Sequence, residues 1–392
     1  MKILISATGF IEWQGGIEFL KGIINMLIQK DNEFFLMLPS VSYKDYPKFL
    51  VKNFKSLVKI YNQLFPAKEN TELKDIFKEF ENKVKFVYHN GNVLKTINEI
   101  KPDIIYPTWD MVYNKCKIPQ VAYLYDCQHK YFPENFKKHT IKSRDKYFQK
   151  VVDNYKAIIV ASENAKNDLI KFYNAKPEQI FRIEECMNLD SKYLEVLPYN
   201  VKEKYQLPDN YFMICSQFWQ HKSHITAFEA AKILKDKGQP ICIVCTGKQE
   251  DYRNPEHMNN LREKIQEWGL EKDIRLLGMI DKNDQINLIR NAKALIQPSL
   301  FEGGAGAGGV REAIILCKPV IMSDITINKE YSEFENISYF EAKNSKDLSE
   351  KMENILQKEI KYYSDEELKQ IAHNRQIIAT NRIYAPIEKL FK

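Results

Sequence analysis

The run Gln297-Pro298-Ser299-Leu300-Phe301-Glu302-Gly303-Gly304-Ala305-Gly306-Ala307-Gly308-Gly309-Val310-Arg311-Glu312-Ala313 follows a short apolar strand pattern at 294–296. It breaks into a loop with five glycines and resumes as a helix, and Lys318-Pro319-Val320-Ile321 starts a new strand soon after. Strand, loop, helix and strand in that order form the unit of a parallel α/β sheet. Glycines let a backbone approach a ligand closely, and the helix start offers unpaired N–H groups with partial positive charge. Physically this is a pyrophosphate site. Glu302 leads into the loop, and Glu312 is expected in the first turn of the helix. Carboxylates do not ligate phosphate. They suit hydroxyl groups, so a sugar and a ribose are their natural partners.

The same unit repeats outward from this point. Buried-strand patterns occur at 3–7, 34–38, 84–88, 103–106, 121–125, 157–161 and 180–183. A second series occurs at 211–215, 241–245, 274–277, 294–296, 320–322 and 337–340. Continuous apolar strands alternating with amphipathic helices predict parallel sheets covered on both faces. The two series meet near 194–210, where Pro198, Pro208 and several charges read as an interdomain connection. Gly304-x-Gly306-x-x-Gly309, with Asp324 after the next strand, also fits a dinucleotide fingerprint. A NAD-dependent oxidoreductase is therefore one alternative, although the motif lies in the last third of the chain and its helix is short.

The 392 residues are too many for one ordinary core, and two domains are expected. Hydrophobic residues are 44% and charged residues 28%, a globular balance. The formal charge of +6 is mild, and no nucleic-acid motif accompanies it, so nucleic acid is not an expected partner. Cys242 and Cys245 form a C-x-x-C inside an apolar run, with no second pair at zinc spacing. They read as buried strand cysteines, and the seven scattered thiols point to a reducing cytoplasm. The apolar start, Met1 to Ala7, is too short for a signal peptide. Residues 46–65 carry Leu50, Phe54, Leu57, Val58 and Tyr61 on one helical face, flanked by Lys48, Lys52, Lys55 and Lys59. That pattern fits a helix on the sheet with a solvated lysine face, or a helix resting on an anionic membrane.

Taken together, Pro298-Ser299-Leu300-Phe301-Glu302-Gly303, Glu312-Ala313, Lys318-Pro319 and Ser323-Asp324 resemble the donor-site signature of family four of the retaining GT-B glycosyltransferases, the glycosyl transferases group 1. The resemblance implies an α/β fold of GT-B architecture, with two Rossmann-like domains whose parallel sheets face each other across a cleft. It implies an acceptor-binding domain at 1–195, a nucleotide-sugar domain at 200–365, and a final helix at 366–392 returning to the first domain. It assigns Glu302 to the transferred sugar and Glu312 to the ribose. Nine residues separate these glutamates where the family has seven, so the loop is longer here.

Further positions follow from the resemblance. Lys222 matches the family's diphosphate lysine, whereas Gln217 stands where an arginine is usual. Gly247 and Ile280 fall in turns near the nucleotide, with Arg253 as a further candidate. Gly15 and Gly16 match the N-terminal glycine loop. Asp126 and His129, in Tyr125-Asp126-Cys127-Gln128-His129, fall at the sugar-transfer point and resemble mannosyltransferase-like enzymes of surface polysaccharide assembly. Ser162 starts a helix nearby. The implied activity is retaining, metal-independent sugar transfer to a saccharide or lipid-linked acceptor, in the cytoplasm or peripherally on the inner membrane. A sugar-nucleotide epimerase of the same fold is the other alternative.

Overall fold

A computed structural model describes residues 1–12, 14–40, 69–109, 116–183, 194, 199–304 and 308–392. The basic face expected at 46–65 lies outside the described residues, as does Gly306.

Every apolar run singled out in the sequence is a strand, with ends shifted by two residues or fewer. The first sheet holds β1 (Lys2–Ser6), β2 (Glu33–Pro39), β3 (Val84–His89), β4 (Ile104–Thr108), β5 (Gln120–Tyr123), β6 (Ala157–Val160) and β7 (Ile180–Arg182). The second holds β8 (Phe212–Cys215), β9 (Ile243–Thr246), β10 (Ile274–Gly278), β11 (Ala294–Gln297), β12 (Val320–Ser323) and β13 (Ile337–Phe340). The paired strands are parallel throughout. Ile3, Leu4 and Ile5 are all fully buried although neighbours on a strand face opposite ways. Helices therefore cover both faces of the sheet.

The strand orders are β3-β2-β1-β4-β5-β6-β7 and β10-β9-β8-β11-β12-β13. Each reverses direction beside its first strand, between β1 and β4 and between β8 and β11. Loops leaving such neighbours diverge and open a crevice at the carboxyl ends of the strands, where ligands of α/β sheets bind. This doubly wound order makes both domains Rossmann-like.

Leu194 already packs in the core of the second domain. The last helix, Asp365–Phe391, starts with a Ser364–Glu367 capping box. Its Leu368 and Ala372 join the second core, and its Ala379, Ile383, Tyr384 and Ile387 join the first. The Tyr384 hydroxyl donates to the Leu27 carbonyl at 2.6 Å. One helix thus packs into the cores of both domains.

Lys318 is 4% exposed in the turn before β12. Burial, with Lys293 and Arg290 nearby, pulls its pKa down from 10.5 to about 8. A lysine with a folded pKa below its unfolded one costs stability while charged, and that cost fades as pH rises through the folded pKa. Lys318→Met should therefore melt several degrees higher than the parent at pH 7. The gap should narrow between pH 8 and pH 10 in parallel thermal melts. A gap that does not change with pH would mean that the ammonium is solvated.

Candidate active site

Two loops at the β8/β11 reversal build the donor side. The Leu300 N–H donates to the His221 carbonyl at 2.8 Å, which ties the loop after β11 to the loop after β8. Ser323 Oγ donates to the Ser299 carbonyl at 2.5 Å. Held this way, Lys222 Nζ lies 2.7 Å from both Oε1 and Oε2 of Glu302. Gln297 Nε2 adds a third bond to Oε1 at 2.8 Å. The two side chains are only 10% and 7% exposed, so the pair is largely desolvated. Lys222 ends a 3-10 turn, Gln220–Lys222, which Ser223 stops in the left-handed region at φ 52. Burial, Lys222 and Arg253 push the neighbouring His221 pKa down to about 2, so this imidazole is neutral. Lys222 and Arg253 carry the positive charge here.

The glycines act by close approach. A Cβ on Gly309 would lie 2.5 Å from Cys215 Cβ, so only glycine lets the Gly308–Ile315 helix pack on the end of β8. Gly247 has φ +129, and a Cβ there would meet the Ser216 carbonyl oxygen at 2.2 Å and the Gln217 nitrogen at 3.0 Å. Its N–H donates to the Gly278 carbonyl at 2.9 Å. This brings Gln217, Gly247 and the 278–280 turn together, with Ile280 half-buried against the second core. Gly304 is buried beside the loop. Glu312 is the fifth residue of its helix, one turn later than the sequence reading expected. Lys282 pairs with its Oε1, and Gln285 Nε2 donates to Oε2 at 3.0 Å.

On the facing domain, Asp126 lies three residues beyond β5. Its Oδ1 accepts from Arg144 Nη2 at 3.0 Å and from the Gln128 N–H at 2.9 Å. The same Arg144 nitrogen reaches the Asp126 carbonyl at 2.9 Å. The guanidinium stacks on Tyr125 at 4.5 Å, and Tyr125 stacks on Trp109 at 4.6 Å. Asp126 Oδ2 points to the other domain, 3.1 Å from where a Gly303 Cβ would be. Gly15 and Gly16 lie in the first turn of the Gln14–Leu27 helix, after β1. Glu18, one turn further along that helix, lies within electrostatic reach of Lys282.

His129 requires a correction. It is 1% exposed, and its Nε2 lies 3.0 Å from Asp145 Oδ1 and 2.9 Å from the Tyr173 hydroxyl. Its ring packs edge-on to Phe148. Burial, then Arg144, hold its pKa below the ordinary value against the pull of Asp145. The short Gln128–Tyr131 helix turns residue 129 into the domain interior. His129 braces the wall beneath Asp126 and has no surface in the cleft to orient a sugar.

Contacts across the cleft join these groups. Ser162, which caps the Glu163–Tyr173 helix, donates to the Gly303 carbonyl at 3.4 Å. Arg253 Nη1 donates to Gln128 Oε1 at 3.3 Å. Phe301 packs against Tyr131 and Phe132. Glu330 accepts from the N–H groups of Glu163 and Asn164 at 2.9 and 2.8 Å and pairs with Arg182 at 3.4 Å. The site therefore brings Asp126, Lys222, Glu302 and Gly303 together, with Glu312 at the far end of the glycine loop. Sequence reading missed Gln128, Arg144, Lys282 and Glu330. Asp324, which a dinucleotide site would turn toward a ribose, instead accepts from the Ala342 N–H at 3.1 Å and pairs with Lys329 at 3.6 Å.

Two doubly wound domains closing on each other through these loops define the GT-B fold. Residues 199–375 match the family Glycosyl transferases group 1. No curated protein matches the chain in sequence. Among solved structures, the chain is similar to Anabaena HepE in complex with UDP-glucose, with TM-score 0.64 and 16% identity over 99% of this chain and 98% of that one. It is similar to a glycosyltransferase of Rickettsia africae, with TM-score 0.62 and 17% identity over 97% and 93%. Sucrose-phosphate synthase of Thermosynechococcus elongatus gives TM-score 0.63 and 11% identity over 100% and 98%. At such identities the likeness is one of fold.

Proposed function

We propose that this chain is a retaining glycosyltransferase that moves a sugar from a nucleoside-diphosphate sugar to a saccharide or lipid-linked acceptor. The observation that carries the reading is the buried Lys222–Glu302 pair facing Asp126 across Gly303. The group 1 domain match and the UDP-glucose held by HepE support the donor class.

In this reading the acceptor hydroxyl attacks the anomeric carbon on the face that the diphosphate leaves. The bond from that carbon to the phosphate oxygen breaks, a bond to the acceptor oxygen forms, and the departing phosphate oxygen takes the acceptor proton. Negative charge builds on the diphosphate. Lys222 and the loop amides stabilise it, so the reaction needs no metal. Glu302, once its lysine turns to phosphate, accepts from sugar hydroxyls. Asp126, held rigid by Arg144, orients the sugar or acceptor. Glu312 accepts from the ribose. Cell-surface polysaccharide assembly, with the enzyme cytoplasmic or peripheral on the inner membrane, belongs to the same proposal. It is supported by the Asp126-Cys127-Gln128-His129 resemblance and by the basic pattern at 46–65.

A thermal-shift panel of UDP, GDP, dTDP and CDP with their sugars, and NAD and NADH beside them, tests the donor class. One nucleoside diphosphate and its sugars should raise the melting temperature by several degrees, as expected for a ligand far above its Kd. NMR of the product should then show the donor's anomeric configuration. Stabilisation by NAD or NADH alone would overturn the reading.

A further inference from the structure

We propose that Lys282 is a second phosphate-binding cation of the donor site, held by Glu312 while the site is empty and passed to the diphosphate when ribose hydroxyls occupy Glu312. This rests on the donor reading above. The two glutamates stand at the two ends of the glycine loop, and each has its own lysine: Lys222 on Glu302 and Lys282 on Glu312. The site thus holds two carboxylates, each with its own cation. A nucleoside-diphosphate sugar runs ribose hydroxyl, phosphate, phosphate, sugar hydroxyl, which is the complementary set. Binding then becomes an exchange of partners, with hydroxyls going to the carboxylates and phosphates to the lysines.

Lys282 is suited to change partners. Its side chain is 40% exposed, against 10% for Lys222, so water reaches it while it changes partners. Glu312 does not lose all support, because Gln285 stays on Oε2, and a carboxylate accepts about four hydrogen bonds. Lys282 is also the first residue of its own helix, Lys282–Asn291, where the helix dipole disfavours a cation. A lysine serving only that helix would be better placed at its other end. Burial pulls the Lys282 pKa down, but Glu312 and Glu18 outweigh it and leave it raised, so the ammonium keeps its charge. Cys215 feels both Glu312 and Lys282, and Gly309 packs on Cys215. The cation therefore lies within electrostatic reach of the Cys215 on which the start of the Gly308–Ile315 helix packs. No arginine supplies charge at position 217.

Calorimetric titration with inorganic pyrophosphate, and separately with whichever of UDP, GDP, dTDP or CDP stabilises the parent protein, tests this. Glu312→Gln releases Lys282, so it should bind pyrophosphate about three- to tenfold more tightly and the nucleoside diphosphate more weakly. Lys282→Gln should lose about tenfold for the nucleoside diphosphate, whose ribose frees the lysine, the scale of one charge-assisted hydrogen bond. In the double variant the gain from Glu312→Gln should vanish. Nucleoside diphosphate affinity unchanged by Lys282→Gln, or pyrophosphate affinity that is unmeasurable in all four proteins or still raised in the double variant, would overturn the proposal. Failure of every nucleoside diphosphate to bind the parent would instead overturn the donor reading itself. Matching thermal midpoints of the four proteins check that the site is intact.

Discussion

Lys222→Met should lower kcat for sugar transfer by two to three orders of magnitude, the usual loss when one preorganised donor to a developing oxyanion is removed. The same change should destabilise the second domain. Among the described residues Glu302 would remain buried with Gln297 as its partner, and breaking a buried ion pair by deleting one member costs about 3–5 kcal/mol. The two effects separate in the double variant Lys222→Met with Glu302→Gln. That protein holds no uncompensated charge, so its thermal midpoint should return close to the parent value, while kcat should stay low. Single-turnover kinetics beside thermal melts read both quantities. A lysine that only stabilises the fold would show the opposite pattern, with activity recovering as stability recovers. Lys222→Met with kcat within threefold of the parent would remove Lys222 from the chemistry.

How far the residues announced this site depends on the range of the interactions involved. The thirteen strands were legible because burial on both faces demands runs such as Ile3-Leu4-Ile5, which no amphipathic helix would use. The glycine loop was legible because strand, loop and helix are adjacent in sequence. Lys222 and Glu302 were each identified, but their direct contact was not. They are 80 residues apart, and only the β8–β11 pairing brings their loops side by side. Arg144 gave no sign of its role, because it reaches Asp126 from the middle of a lysine-rich helix, Lys138–Asn154. Lys282 was hidden in the same way, as an ordinary charged residue after an N-cap. His129 was misplaced for a geometric reason. Each residue step along a helix rotates the side-chain direction by about 100°, so Gln128 reaches Arg253 while His129 points inward. A motif read as a unit does not say which of its members faces the cleft.

Glu330 carries the other large expected effect. Its carboxylate comes from the second domain and takes the first N–H groups of the Glu163–Tyr173 helix in the first domain, with Arg182 alongside. A charged acceptor at a helix start is favourable twice, through the hydrogen bonds and through the helix dipole. At 14% exposure the carboxylate is only weakly screened. Hydrogen bonds to charged groups contribute about 1.5–3 kcal/mol each, so Glu330→Ala removes several kcal/mol from the state in which the domains touch. The weaker contacts nearby, Ser162 to Gly303 at 3.4 Å and Arg253 to Gln128 at 3.3 Å, do not replace that. The radius of gyration of Glu330→Ala by small-angle scattering should rise, and KM for the donor should increase about tenfold. Donor hydrolysis should gain on transfer, because a cleft that opens admits water. Glu330→Gln keeps one acceptor oxygen and should fall between the two proteins. Scattering and donor KM equal to those of the parent would show that the long Asp365–Phe391 helix, rather than Glu330, holds the domains together.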